Sequence, residues 1–161
     1  MKSAGFLSCM AMSSLPPEVL ADLIRPAGYF NIKARRLGNL LEMVSQRYAG
    51  DFDRMLREET ETLRERLLGV RGIGPETADS ILLYAANRPV FVIDAYTHRL
   101  LARHQFIDED TDYHSMQSLF TDILPADSDL FNEFHALIVR TGKEFCKKTK
   151  PLCSRCPLDG V

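Results

Sequence analysis

The sequence predicts an all-α protein. Three observations carry that expectation. Apolar residues recur at three- and four-residue spacing in segment after segment, no stretch alternates as a half-buried strand would, and Pro16, Pro26, Gly72, Gly74 and Pro75 fall at the ends of those segments.

The elements follow in order. Pro16-Pro17 can open a helix whose stripe is Val19, Leu20, Leu23 and Ile24, and Pro26 stops it. Asn31 is the expected N-cap of the next, with Leu37, Leu40, Leu41 and Val44 on its apolar face. A third run carries Leu63, Leu67 and Leu68. After Gly74 a fourth helix starts at Pro75 and groups Ala78, Ile81, Leu82 and Ala85. Asp94 precedes a fifth built on Leu100 and Leu101. Two more place Met116, Leu119, Phe120 and Ile123, then Leu130, Phe134, Leu137 and Ile138, on single stripes. Residues 1–14 are weakly patterned. The segment 146–161 differs in kind: short of periodicity and rich in Cys, Lys and Pro, it reads as a cofactor-organised tail. The expected organisation is one helical domain over 15–145, with a hairpin at 67–79, followed by that tail.

At 161 residues the chain is long enough to bury its own core without disulfide staples. Its apolar runs fall short of the roughly 18 residues that cross a bilayer, and no secretory signal opens it, so neither a membrane nor a secreted protein is expected. The formal charge of −2 removes the simplest argument for a nucleic-acid partner. Charge is nevertheless segregated. Five basic residues (Arg25, Lys33, Arg35, Arg36, Arg47) face one acid, Glu42, between residues 25 and 47. Six (Arg140, Lys143, Lys147, Lys148, Lys150, Arg155) face Glu144 between 140 and 155. That pattern suits either an anionic partner or ordinary solvated helix faces.

The most informative stretch is Leu67-Leu68-Gly69-Val70-Arg71-Gly72-Ile73-Gly74-Pro75-Glu76-Thr77-Ala78-Asp79. Two glycines around one apolar residue allow a tight turn with positive φ, Ile73 turned inward and the amides of the following helix start turned outward. Such a turn is either a plain connection between helices or an anion site for a DNA phosphate, read without regard to sequence. A leucine-rich helix, Gly-Ile-Gly and a small-residue helix resemble the helix-hairpin-helix motif of a DNA glycosylase superfamily. Asp94 lies twenty residues after Gly74, and Val92-Ile93-Asp94-Ala95-Tyr96-Thr97-His98-Arg99 resembles that superfamily's apolar-apolar-Asp-x-x-x-x-Arg segment. Together they identify the chain as an endonuclease III-like (HhH-GPD) helical domain.

The resemblance implies a DNA N-glycosylase of base excision repair, with Asp94 as the catalytic carboxylate. The chemistry suits a single carboxylate. Loss of a base passes through an oxocarbenium-like sugar that an anion stabilises, and the same group can orient or deprotonate water. From the residues alone, Asp94 could equally be an N-cap, or both. Gly72, Ile73, Gly74, Glu76, Thr77 and Arg99 are the implied DNA contacts. Glu76 departs from the bifunctional endonuclease III branch, which carries a lysine there that forms a Schiff base with the sugar. A carboxylate cannot do so. The expectation is therefore base release without efficient lyase activity, and Gly-Ile-Gly-Pro-Glu-Thr-Ala-Asp-Ser-Ile is closer to the subgroup that removes alkylated purines.

Cys146, Cys153 and Cys156 are separated by six and by two residues. The relatives hold a [4Fe-4S] cluster with C-x6-C-x2-C-x5-C, and the first three positions are reproduced here. The fourth would fall one position beyond Val161. Iron-sulfur ligation and zinc both use thiolates at such spacing, and zinc would want a fourth ligand nearby. The chain resembles the family from about residue 15 onward and looks clipped at both ends. Cys9 is expected to be a buried or free thiol. Tyr84 and Tyr96 are candidates for stacking on an extruded base, Lys143 and His98 for phosphate contacts, and His104, His114 and His135 show no metal-ligand spacing. The expected partner is double-stranded DNA with a damaged base, bound by a monomer in the cytoplasm of a bacterial or archaeal type of cell, at the nucleoid. The alternative is a non-catalytic hairpin module that only binds DNA.

Overall fold

The structure is a computed structural model and describes residues 7–160. Among them every regular element is a helix, as expected. The chain divides into two compact units, Met1–Gly74 and Pro75–Val161. Their boundary falls inside the 67–79 hairpin that the sequence places within one helical domain.

The first unit holds α1 (Cys9–Ser13), α2 (Pro17–Leu23), α3 (Phe30–Tyr48), α4 (Phe52–Leu56) and α5 (Thr60–Leu68). α1 interrupts the segment read as unpatterned and is capped by the Ser8 hydroxyl. Residues 1–6 of that segment lie outside the described residues. α2 starts at Pro17 as expected and gives way to a 3-10 turn, Arg25–Ala27, around Pro26. The expected Asn31 cap is corrected: Gly28 and Tyr29 both take positive φ, 64° and 47°, so the chain reverses there. The Tyr29 carbonyl already accepts from Ile32 and Lys33, which places Asn31 inside α3. α3 is the spine of this unit, burying Ala34, Leu41, Val44 and Tyr48 and packing against α1, α2 and α4. Cys9 is buried, as expected, with its thiol donating to the Leu41 carbonyl at 3.7 Å. The Tyr48 hydroxyl donates to Glu58 at 2.7 Å and accepts from Arg66 at 2.9 Å, and Arg66 also pairs with Glu58, so α3 is tied to α5.

The second unit holds α6 (Pro75–Tyr84), α7 (Ala95–Arg103), α8 (Tyr113–Thr121) and α9 (Ser128–Glu144). α6 ends at Tyr84, one residue before Ala85 of the expected stripe. Three aspartates, Asp94, Asp112 and Asp127, cap α7, α8 and α9 with side-chain oxygens that accept two amides each. The core is aromatic: Phe91 stacks on Phe120 with centroids 3.9 Å apart, and Phe131 and Phe134 meet Phe91 edge-on. Ile123 and Leu137, placed on apolar stripes by the sequence, are exposed, Ile123 to 79%. Ile123 lies past the end of α8 at Thr121, and on α9 the stripe is wider than the surface that the helix buries.

The buried run Phe91-Val92-Ile93 is extended without joining a sheet, so its backbone must find side-chain partners. The Gln117 amide donates to the Phe91 carbonyl at 2.6 Å, and the Ile93 amide donates to the Tyr113 hydroxyl at 3.3 Å. Gln117 and Tyr113 both donate to Oδ2 of Asp79, each at 2.9 Å. This network fixes the segment that ends at Asp94.

α7 and α9 pack closely because Gly142 has no side chain. A Cβ there would fall 2.4 Å from Cδ1 and 2.9 Å from Cβ of Tyr96. Gly142→Ala is expected to destabilise the unit by about 2 kcal/mol, since overpacking costs more than the roughly 1 kcal/mol of helix propensity it gains. Thermal melting measures the difference. A melting temperature at or above that of the parent would show that Tyr96 moves aside freely.

Candidate active site and hairpin

In the first unit the hairpin turn is built locally. The Val70 and Ile73 amides donate to the carbonyls of Leu67 and Val70, and Asn39 of α3 donates to the Arg71 carbonyl at 2.7 Å. Gly72 is required twice over. Its φ is +92°, and a Cβ would fall 2.7 Å from the Arg36 stem. Ile73 is buried as expected, whereas Gly72 and Gly74 are exposed. Gly74 differs from Gly72: among the described residues, a Cβ there would meet nothing within 4 Å. Open backbone at this point suits close approach by a phosphate. In the second unit, Glu76 and Thr77 are exposed on the first turn of α6.

The chemistry-bearing cluster lies within the second unit. Asp94 divides its two carboxyl oxygens. Oδ1 accepts from the Tyr96 amide at 2.9 Å, the Thr97 amide at 2.8 Å and the Thr97 hydroxyl at 3.0 Å. Oδ2 takes no part in the cap and faces His135 Nε2 at 3.6 Å, with the Asp94 side chain 13% exposed. Capping and chemistry are thus assigned to different atoms of one group. Burial pushes the Asp94 carboxyl up, but His135, the Thr97 amide and the Thr97 hydroxyl outweigh it and hold the group below the ordinary carboxylate range.

Two groups on α6 face this centre. Tyr84 hydrogen-bonds His135 Nδ1 through its hydroxyl, and burial followed by the Asp94 charge pushes the phenol up. Glu76 is exposed along its length, yet desolvation of its carboxyl and then the Asp94 charge raise it above the ordinary range, with His135 opposing. The structure therefore brings Asp94, Glu76 and Tyr84 into one electrostatic neighbourhood and adds His135. In the sequence His135 matches no metal-ligand spacing, which hides it. A signal was present: His135 lies on the apolar stripe of α9, between Phe131 and Ile138.

Other candidates are placed elsewhere. Arg99 Nε donates to the Cys146 carbonyl at 2.7 Å and Nη2 to the Gly142 carbonyl at 3.1 Å, while its guanidinium lies 5.0 Å from the Tyr96 ring centroid. Those donors secure the end of α9. The His98 ring engages the Glu109 carbonyl at 3.0 Å, and Lys143 is exposed. An apolar cavity of about 520 Å³ lined by Leu100, Phe106, Phe120 and Leu137 includes none of the Asp94 cluster.

Cys146, Cys153 and Cys156 line one cavity of about 180 Å³ together with Arg103, which donates to Cys146 Sγ at 3.2 Å and to the carbonyls of Lys147 and Lys148. Three soft thiols with a guanidinium against one sulfur fit an anionic iron-sulfur cluster in kind. In geometry the fit is incomplete, because among the described residues no three such donors are close enough to hold a metal ion.

A family model described as HhH-GPD superfamily base excision DNA repair protein matches residues 1–126. The chain belongs to this superfamily. A protein of Methanocaldococcus jannaschii assigned as a DNA repair glycosylase is 41% identical over 160 residues, covering 98% of this chain and 72% of its own length. Endonuclease III of Sulfolobus acidocaldarius is 32% identical over 139 residues, covering 86% of this chain and 59% of the enzyme. The chain thus spans about three fifths of that enzyme. Among solved structures, the H. pylori 3-methyladenine DNA glycosylase bound to 1,N6-ethenoadenine is 29% identical, with a TM-score of 0.72 over 89% of this chain and 73% of its own. A non-covalent endonuclease III–DNA complex superposes with a TM-score of 0.76 at 23% identity, over 96% and 67%, and shows the shared all-α fold. The superfamily read from residues 67–99 and the endonuclease III-like architecture are therefore established. No described helix is long and apolar enough to cross a membrane.

Proposed function

We propose that the chain is the catalytic part of a DNA N-glycosylase that hydrolyses the bond between deoxyribose and an alkylated purine, leaving the abasic strand uncut. The observation that carries this reading is the divided carboxylate: the Asp94 oxygen left outside the cap stays ionised beside His135. An anion so held stabilises the oxocarbenium-like sugar as the base departs and accepts a proton from the attacking water. Glu76 at the position of the Schiff-base lysine supports a monofunctional enzyme. The likeness to a 3-methyladenine glycosylase supports the substrate class. Gly72, Ile73, Gly74 and Thr77 would grip the backbone of duplex DNA, and the damaged nucleotide would be flipped toward Asp94 and Tyr84. Arg99 would act indirectly, by securing the end of α9. Cys146, Cys153 and Cys156 would hold a [4Fe-4S] cluster as a structural element when a further thiolate completes it. The enzyme would work as a monomer at the nucleoid.

Single-turnover assays on duplexes carrying 3-methyladenine, thymine glycol or a mismatched adenine test the reading. Base release from the 3-methyladenine duplex, with strand scission only after alkali, is expected. Scission without alkali would mean that another amine replaces the missing lysine. Binding without release from any duplex would leave a DNA-binding module.

A further inference from the structure

His135 is 8% exposed and lies on α9, which packs against both α6 and α7. Its two ring nitrogens face different groups. Nδ1 is hydrogen-bonded to the Tyr84 hydroxyl. Nε2 is buried, makes no hydrogen bond, and points at Asp94 Oδ2 from 3.6 Å. A bare imidazole lone pair set against an anionic oxygen would be repelled, so the nitrogen facing Asp94 is the one that carries a proton. Nδ1 is then the acceptor, and the phenol is its donor.

Resting on Asp94 as the catalytic carboxylate, we propose that Tyr84 and His135 are positioning residues: the Tyr84 hydroxyl donates to Nδ1, fixes the tautomer, and directs the Nε2–H at the oxygen of Asp94 that acts on the sugar. The cap holds one carboxyl oxygen, and the pair holds the other. Rotation of the carboxylate about its Cβ–Cγ bond is thereby restricted from both sides. The 3.6 Å separation is longer than a formed N–H···O bond, which needs about 3 Å. Such contacts in a free enzyme commonly tighten once the reacting complex assembles. The neighbouring titratable groups work in opposite directions. His135 favours the ionised carboxylate, whereas Glu76, when ionised, opposes it, and Tyr84 is neutral over the working range.

Two measurements on the whole chain test the pair. The first needs no activity: 13C NMR titration of the Asp94 carboxyl in the parent, His135→Phe, His135→Gln and Tyr84→Phe. The Asp94 midpoint is expected to rise in His135→Phe. It should return most of the way in His135→Gln, whose amide retains an N–H donor, and rise less in Tyr84→Phe. The second is the pH profile of base release, in which the acid-limb rate of His135→Phe should fall about tenfold further than its plateau rate. If His135→Phe fails to fold, the Gln and Tyr84→Phe proteins carry the comparison. Equal midpoints in the parent and Tyr84→Phe, or a Gln variant whose midpoint stays as high as that of His135→Phe, would overturn the proposal. So would a uniform loss of rate at every pH. The glycosylase reading fails on a different result, an inactive parent or an active Asp94→Asn, while the titration still decides whether the pair sets the state of Asp94.

Discussion

Asp94→Asn is expected to reduce base release by a factor of 100 or more while leaving the fold and duplex affinity nearly unchanged. The size follows from removing preorganised charge beside a developing cation, where loss of one stabilising group costs about 3–4 kcal/mol in the barrier. The selectivity follows from the cap. An Asn carbonyl can take the same bonds from the Tyr96 amide, the Thr97 amide and the Thr97 hydroxyl that Oδ1 takes now, and Asn caps helices about as well as Asp. Asp94→Ala would confuse the two roles, adding about 1 kcal/mol of lost capping to the lost charge. The pH dependence has a definite sign. The folded carboxyl lies below its ordinary value, so its contribution to stability is complete above the unfolded value and disappears as the pH falls through the folded one. Base release through an ionised Asp94 should likewise persist into mildly acidic solution before it falls. Single-turnover rates, duplex binding and melting of the parent and Asp94→Asn check all of this. An Asn variant that keeps its rate removes Asp94 from the chemistry.

What was legible in the sequence depended on distance along the chain. Asp94 and the Gly72–Gly74 turn are each specified by residues adjacent in sequence, and both were readable. The helical class was readable because most helices are long enough to show a stripe. α1 and α4, at five residues each, are under two turns and show none. The start of α3 was misplaced because a positive φ at Tyr29, a non-glycine residue, leaves no compositional mark. His135 and Tyr84 meet across 51 positions, and no local pattern announces such a pair. Arg99 matches the motif at its expected position, yet motif spacing cannot tell a guanidinium that faces a phosphate from one whose donors go to the carbonyls of Gly142 and Cys146. Asp79 carries no signal in the sequence beyond its place in the hairpin motif, and its role appears once Gln117 and Tyr113 are brought to it.

Asp79→Ala is expected to be the most destabilising single substitution in the second unit. The carboxyl is 0% exposed and accepts from both Tyr113 and Gln117. Those donors in turn satisfy the extended run: Gln117 holds the Phe91 carbonyl and Tyr113 receives the Ile93 amide. Removing the acceptor takes a partner from buried Gln117 and from half-buried Tyr113 and leaves a void, at a cost of about 3 kcal/mol or more. Tyr113→Phe deletes one donor to Asp79 and the acceptor of the Ile93 amide and should cost about 2 kcal/mol, less than the loss of Asp79 because Gln117 still reaches the carboxyl. Asp79→Asn should fall between the two, since its carbonyl can accept while its amide adds a donor where donors already converge. Urea denaturation of the three variants gives the order directly, and an Asp79→Ala protein within about 1 kcal/mol of the parent would show that the network relaxes without it. The effect should extend to the chemistry. The segment anchored through Asp79 ends at Asp94, so a loosened Ile93 displaces the carboxylate, and a shift on the scale of 1 Å is enough to cost a factor of roughly 100 in rate. Asp79→Ala should therefore lower base release even at temperatures where it remains folded.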